Sequence, residues 1–159
     1  MRRTLPIVLL LVLLAPAPAA GQAPPEPWAT VNVCDTTEHP DQMGIRGSMP
    51  GVARYTTMSM RFRVQYRDSR GRWRLLSSGA DSGWQRVGAA RRGEYDAGWT
   101  FEFEPPESGG AYVLRGLVSF EWRRGRRLVE RVRAVTEAGH PGTAGAEPAD
   151  FSAATCEIA

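Results

Sequence analysis

The feature that most constrains the fold is a strict alternation of apolar and polar side chains over residues 58–67. The apolar members are Met58, Met60, Phe62, Val64 and Tyr66. A period of two residues is typical of a β-strand that has one face against a core and the other in water. Residues 68–71 have the composition of a tight turn, and a second strand is predicted over residues 73–77. This segment therefore predicts an antiparallel β-hairpin.

The same patterning recurs along the rest of the chain. It predicts further strands over residues 29–34, 82–87, 99–104, 112–123 and 128–136. Gly116 marks a bulge or a close approach inside the longest of them. The outward Glu102 and Glu104 could pair with the outward arginines of the first hairpin across one sheet surface. Since no amphipathic helix is predicted after the leader described next, the expected fold class is all-β, an antiparallel β-sandwich of six to seven strands.

The N-terminal residues 1–22 have the organisation of a cleaved signal peptide. Two arginines precede an apolar run over residues 5–14, and small residues follow it. The run is about half of the roughly 20 residues that a membrane-spanning helix needs. Cleavage is predicted between positions 19 and 23, and residues 23–27 form a short Pro-rich linker. We therefore expect a secreted protein with no membrane span after leader cleavage.

The charge balance of the chain argues against a nucleic-acid partner. All 20 basic residues are arginine, and two leave with the leader, so that 18 arginines remain against 17 acidic residues. A mature chain with a net charge near +1 exerts little long-range attraction on nucleic acid or anionic lipid. The sequence contains no cofactor-binding motif, and we expect no cofactor.

The two cysteines of the chain, Cys34 and Cys156, predict one disulfide in an exported protein. The bond would close a loop of 122 residues, to which chain-entropy arguments assign on the order of 4 to 5 kcal/mol. Residues 137–159 are rich in Gly, Ala and Pro and predict an extended C-terminal strap tied by Cys156, with Phe151 as its anchor. The β-sandwich itself is expected over residues 28–136.

Two local patterns carry a resemblance to a known class of domain. Residues 107–112, Glu-Ser-Gly-Gly-Ala-Tyr, open a long alternating strand and resemble the turn and tyrosine corner at the start of strand F in immunoglobulin-like domains. Residues 62–73 are similar to a hairpin of fibronectin type III or immunoglobulin-like domains of secreted bacterial proteins. The resemblance covers residues 28–136. By analogy with other proteins of this fold, the resemblance implies a sandwich that binds a partner, spaces neighbouring domains or acts as a scaffold.

Three surfaces are candidates for ligand binding. Residues 35–54 are predicted as a long loop, and long loops are often functional; the alternative is a solvated connection. Indoles on the short middle strands could stack on sugars or pack against the sheet, and arginines at a hairpin tip could contact an acidic polymer or only keep that tip soluble. The candidate residues on these surfaces are Met43, Arg46, Trp73, Trp84, Arg124 and Arg126.

His39 and His140, each followed by proline, are the weak metal candidates of the chain. Asp35 and Asp41 lie near the first, and two histidines with one carboxylate could hold zinc. However, the sequence has no His-x-x-x-His spacing, which many zinc sites use. It also lacks the Gly-x-Ser-x-Gly motif that would indicate a serine hydrolase. The favoured hypothesis is a secreted, non-catalytic binding module for an unknown protein or cell-wall polymer. The alternative is a small secreted enzyme, such as a metal-assisted hydrolase, that uses His39.

Overall fold

The structure, a computed structural model, describes residues 25–51, 56–89, 93–106 and 109–159. The predicted signal peptide, residues 1–22, lies outside the described residues. Within these ranges the chain forms nine β-strands and no α-helix. The strands are β1 (Trp28–Cys34), β2 (Gln42–Pro50), β3 (Thr57–Arg67), β4 (Trp73–Leu75), β5 (Gln85–Ala89), β6 (Glu94–Glu102), β7 (Tyr112–Arg124), β8 (Arg127–Val135) and β9 (Cys156–Ile158).

The strands form two antiparallel sheets. One has three strands in the order β1-β2-β6. The other has six, with the path β4-β3-β7-β8, β5 beside the first half of β3 and β9 beside the first half of β7. The predicted hairpin of β3 and β4 is confirmed by their antiparallel pairing. The predicted all-β, antiparallel, sandwich-like fold is confirmed, with nine strands in place of six or seven.

The core lies between the two sheets, as the alternation in β3 requires. The apolar members of that alternation from position 58 to 64 are fully buried, together with Val118 and Phe120 of β7. Gly116 marks the predicted close approach: a Cβ there would lie 2.9 Å from the Ile45 side chain of the facing sheet and 2.6 Å from Thr136. The Trp122 indole also crosses between the sheets, because its Nε1 donates to the Pro50 carbonyl at 2.9 Å.

The prediction of a long loop over residues 35–54 was wrong, because residues 42–50 form β2; residues 52–54 lie outside the described residues. This strand lies between β1 and β6 and is buried on both faces. Its glycines, which suggest a loop, are instead needed by its neighbours: a Cβ at Gly44 would stand 2.8 Å from the Asn32 amide oxygen, and one at Gly47 would stand 3.3 Å from the Phe120 ring. Glycine inside a strand is typical of such close approaches.

The bounds of two predicted strands and one predicted pairing also change. The strand predicted over residues 82–87 is β5, at Gln85–Ala89, and β6 begins at Glu94, earlier than the pattern indicated. Glu102 belongs to the three-stranded sheet and Glu104 follows it, so this row cannot pair with the arginines of β3 across one sheet surface. Trp99 pairs with Ile45 on the inner side, yet it is 40% exposed because β6 is an edge strand.

The disulfide between Cys34 and Cys156 is confirmed, with the two Cα atoms 5.4 Å apart. It joins the end of β1 in one sheet to the start of β9 in the other. The segment between β8 and β9, residues 137–155, runs along the free edge of β1. Val31 exchanges both backbone hydrogen bonds with Ala153, at 2.9 and 3.1 Å. We call this segment the strap.

Candidate ligand-binding face

The outer face of the six-stranded sheet concentrates positive charge. We call it the arginine face and define it by eight outward arginines: Arg61, Arg63 and Arg67 of β3, Arg86 of β5, Arg115 and Arg123 of β7, and Arg131 and Arg133 of β8. Among the described residues, two carboxylates share this face, those of Asp81 and Glu121. The face therefore carries six positive charges in excess, although the chain as a whole has a net charge of only +3.

Strand register explains why arginines far apart in sequence become neighbours. Arg61 of β3 pairs with Ser119 of β7, and Ser119 pairs with Arg133 of β8, so the three lie in one row across the sheet. Adjacent strands are about 4.8 Å apart and outward residues on one strand about 7 Å apart, which places Arg61, Arg63 and Arg133 within roughly 10 Å of one another. The small, buried Ser119 forms the floor between them.

Glu121 neutralises one end of the arginine face. It is only 2% exposed, and its carboxylate accepts hydrogen bonds from Arg123 Nε and Arg131 Nε, each at 2.6 Å. Burial raises the pKa of Glu121, but the hydrogen bonds from the two guanidinium groups outweigh that effect and hold the pKa below its usual range. The charges of Arg123 and Arg131 are therefore largely used within the protein.

Asp81 neutralises a second arginine in the same way. Arg61 Nε donates to its carboxylate at 2.8 Å, and a second guanidinium nitrogen binds the other oxygen. This hydrogen bonding lowers the pKa of Asp81 and raises the pKa of Arg61. Such two-point pairing is the favoured geometry between arginine and a carboxylate.

Arg63, at the centre of the face, is different. It forms no ion pair with any described residue, and its Nε is buried without a hydrogen-bond partner. Burial lowers the pKa of Arg63 most, and the like charges of Arg61 and Arg133 lower it further, whereas the negative charge of Asp81 partly opposes them. A partly buried cation with an unmet donor is costly. An anion bound above Ser119 would supply the missing acceptor and offset the repulsion among the three arginines.

Two indoles flank the arginine array on the side of β4 and β5. The guanidinium of Arg115 lies over Trp73, 4.3 Å from the ring centre, and that of Arg131 lies 5.5 Å from the ring centre of Trp84. Both distances are within the range of cation–π attraction. Trp84 is exposed and Trp73 half-buried. The structure thus brings these two predicted binding residues to the same face as the arginines.

The other predicted binding residues are placed elsewhere. Met43 is fully buried in the core, so it cannot present its side chain to a ligand. Arg46 lies on the outer face of the three-stranded sheet, with its stem 3.2 Å from the position of a Cβ on Gly98. Arg124 and Arg126 are exposed at the tip of the β7–β8 hairpin. That tip adjoins the arginine face, since Arg123 Nη1 donates to the Arg126 carbonyl at 3.1 Å.

The two histidines contact different partners. His39 Nε2 lies 3.0 Å from Glu147 of the strap, and the hydroxyl of Thr36 donates to the same carboxylate at 2.5 Å. His140 stacks on Trp28 with ring centres 4.0 Å apart. In the described ranges, no three histidine, cysteine or carboxylate side chains form a group suited to a metal ion.

Comparisons of the chain with protein-family models, with characterised proteins and with solved structures find no match. In the part of the chain that the structure describes, no helix has the length and apolar character needed to cross a membrane. The sequence did not indicate that Arg63 and Arg133 would be neighbours. The alternation predicts that such arginines point outward, but only the order of the strands shows which of them lie side by side.

Proposed function

We propose that this protein is a secreted, non-catalytic binding module that holds an acidic polysaccharide on its arginine face. The observation that carries the proposal is Arg63, a partly buried cation without an ion pair among the described residues, set between Arg61 and Arg133. Catalysis is not required of such a surface. Its arginines supply charge and hydrogen-bond donors, and its exposed indole supplies an apolar plane.

The strand order supports an immunoglobulin-like version of the sandwich. Lettered by position, β1-β2-β6 corresponds to strands A-B-E, and β3-β7-β8 corresponds to C-F-G of that fold. By analogy, such sandwiches commonly serve as binding and spacing modules. Secretion is supported by the predicted leader, and the disulfide is compatible with an oxidising compartment.

The shape of the face favours an extended anionic ligand. A row of arginines spaced by about 5 to 10 Å matches a linear chain with repeated acidic groups, and a small anion would satisfy only the centre of the array. Trp73 and Trp84 add flat apolar surfaces against which a sugar ring can lie. A uronate polymer combines both requirements, and it is consistent with the expectation of a cell-wall polymer as partner.

The decisive experiment measures binding of the mature chain to polygalacturonate by calorimetry at two salt concentrations. Arg63→Gln should weaken binding about tenfold, since the corresponding value of about 1.4 kcal/mol is close to the lower end of what a lost hydrogen bond to a charged group costs, about 1.5 kcal/mol. Arg46→Gln is the matched control: Arg46 is also half-buried and also has a buried Nε without a partner, but it lies on the opposite face. It should change affinity less than about twofold.

Equal losses in the two variants would contradict the arginine face as the site. Tighter binding of single-stranded DNA than of polygalacturonate would contradict the polysaccharide class, even if Arg63 still mattered. The double variant Trp73→Ala, Trp84→Ala should weaken polygalacturonate binding but leave inorganic polyphosphate binding nearly unchanged, because only the sugar chain uses the indoles.

A further inference from the structure

A cavity opens at the end of the sandwich near the disulfide, away from the arginine face. Its volume is about 690 Å³, within the range of about 300 to 1,000 Å³ typical of small-molecule sites. It lies where β3 ends and β7 begins, between the chain that follows β4 and the chain that follows β6. At this end β6 has ended, and residues 103–106 continue outside any strand.

The floor and walls of the cavity are apolar and aromatic. Leu114 of β7 is fully buried at its base, and Phe103 and Leu76 pack against the core beside it. Tyr66 and Tyr112 are 37% and 41% exposed. Aromatic rings left this accessible beside a cavity offer contact surface to a bound molecule.

Two exposed acidic residues lie at the rim of the same cavity. Glu102 and Glu104 line it, and neither forms an ion pair with any described residue. Arg74, which pairs in register with Tyr66 on the inner side of the sheet, is bound to Asp68 at 3.2 Å and so does not neutralise them. The cavity therefore combines an apolar interior with two acidic residues at its rim that form no ion pair within the described part of the chain.

We propose that this cavity binds an organic cation with an apolar body, that is, an aromatic or aliphatic ammonium, amidinium or guanidinium group. The apolar part of the ligand would cover Leu114 and Phe103, and the cation would lie against the tyrosine rings and the carboxylates. Cations are attracted to the faces of tyrosine rings and to nearby carboxylates, whereas an anionic ligand would be repelled. The proposal is independent of polysaccharide binding, because it uses other residues at another place on the sandwich.

The test is a titration of the mature, disulfide-bonded protein with three compounds of nearly equal shape: benzamidine, benzamide and benzoate. Binding is followed by two-dimensional NMR of the backbone amides. Benzamidine should bind about tenfold more tightly than benzamide, because one added charge pair near a partly exposed carboxylate contributes on this order. The shifted amides should include those of Tyr66, Tyr112 and Leu114, and benzoate should cause no saturable shift.

The double variant Glu102→Gln, Glu104→Gln should reduce benzamidine binding to the level of benzamide. The matched control is Glu130→Gln, Glu157→Gln, which removes two exposed carboxylates that do not line the cavity and should leave the affinity unchanged. Thermal unfolding of each variant verifies that the fold is intact. Tyr112→Leu, which keeps apolar surface but removes the ring, should weaken benzamidine more than benzamide.

Three outcomes would overturn the proposal. Equal affinity for benzamidine and benzamide would show that the cavity is only apolar. Unchanged benzamidine binding in the Glu102→Gln, Glu104→Gln variant would place the cation elsewhere. Absence of any saturable shift with benzamidine at about 10 mM, where even weak millimolar binding is detected, would remove the site. None of these results depends on Arg63 or on polygalacturonate.

Discussion

The two outer faces of the sandwich meet their polar requirements in opposite ways. On the three-stranded sheet the chain covers itself over β1, where the buried Thr30 hydroxyl meets Ser152 of the strap at 2.7 Å and the Asn32 amide donates to Gly145 at 2.9 Å. On the six-stranded sheet no described segment covers the arginines, and charge is balanced partly by Asp81 and Glu121. The six-stranded sheet is therefore the one whose charged outer face stays open to solvent.

This contrast also explains why net charge is a poor guide to the surface. The outward residues of β6 include Glu94, Asp96 and Glu102, whereas the arginine face has a large positive excess. Opposite charges on opposite faces nearly cancel in the total. A ligand that meets one face experiences the local field and not the sum, because charges more than about 10 Å apart are largely screened at physiological salt.

The largest effect is expected from removing the disulfide with Cys34→Ser and Cys156→Ser. The bond closes a separation of 122 residues, so the free energy of unfolding should fall by on the order of 4 to 5 kcal/mol. Urea unfolding of the variant and the parent measures the loss. Amide exchange should rise first in β1 and the strap, while β3 and β7 stay protected. An equal loss of protection in both sheets would contradict the expectation that the disulfide stabilises mainly the strap and the three-stranded sheet that it covers.

A smaller effect is expected from Glu121→Gln on the arginine face. The amide cannot match the charged hydrogen bonds to Arg123 and Arg131, and the expected cost is about 2 kcal/mol of unfolding free energy. Asp96→Asn, an exposed carboxylate on the other outer face, is the control and should cost less than about 0.5 kcal/mol. Chemical denaturation gives both values. Similar costs for the two variants would mean that the buried carboxylate does not organise the arginine face.

The smallest effect is a pH dependence that belongs to the arginine face. The pKa values of Glu121 and Asp81 are lowered in the folded protein, so their contribution to stability is full above their unfolded values, near about 4, and is lost as pH falls through the lowered values. Stability should therefore decline below about pH 5. Urea midpoints measured from pH 6 to pH 3 should decline less steeply in Glu121→Gln than in the parent. An equal decline would show that Glu121 does not contribute to the pH dependence.

Much of the fold was predictable because alternation reports burial directly. The pattern of β3 predicted its two faces correctly, and the signal in β7 located Gly116 at a contact between the sheets. β2 was missed because glycine and proline usually indicate a loop, whereas here Gly44 and Gly47 leave room for Asn32 and Phe120. Whether such a glycine lies in a loop or in a strand depends on the residues packed against it, which the sequence does not identify.

The candidate site was less predictable than the fold. Trp73 and Trp84 could be selected because indoles are scarce and chemically distinctive, and both lie beside arginines. Arg63 could not be distinguished from other outward arginines by its local sequence. That it has no ion pair among the described residues depends on the register that brings Arg133 near and on the pairing of Asp81 with Arg61. Site prediction failed where it required the order of strands in the sheet.

The strap also protects one edge of the three-stranded sheet from strand addition. An edge strand with free backbone groups is a template for strand addition, and β1 would be such an edge in the three-stranded sheet. The exchange of hydrogen bonds between Val31 and Ala153, and the bond from the Glu147 amide to the Asn32 carbonyl at 2.8 Å, occupy those groups. Because Cys156 lies directly beyond the strap and is bonded to Cys34 at the end of β1, the disulfide fixes one end of this cover to the strand that it protects.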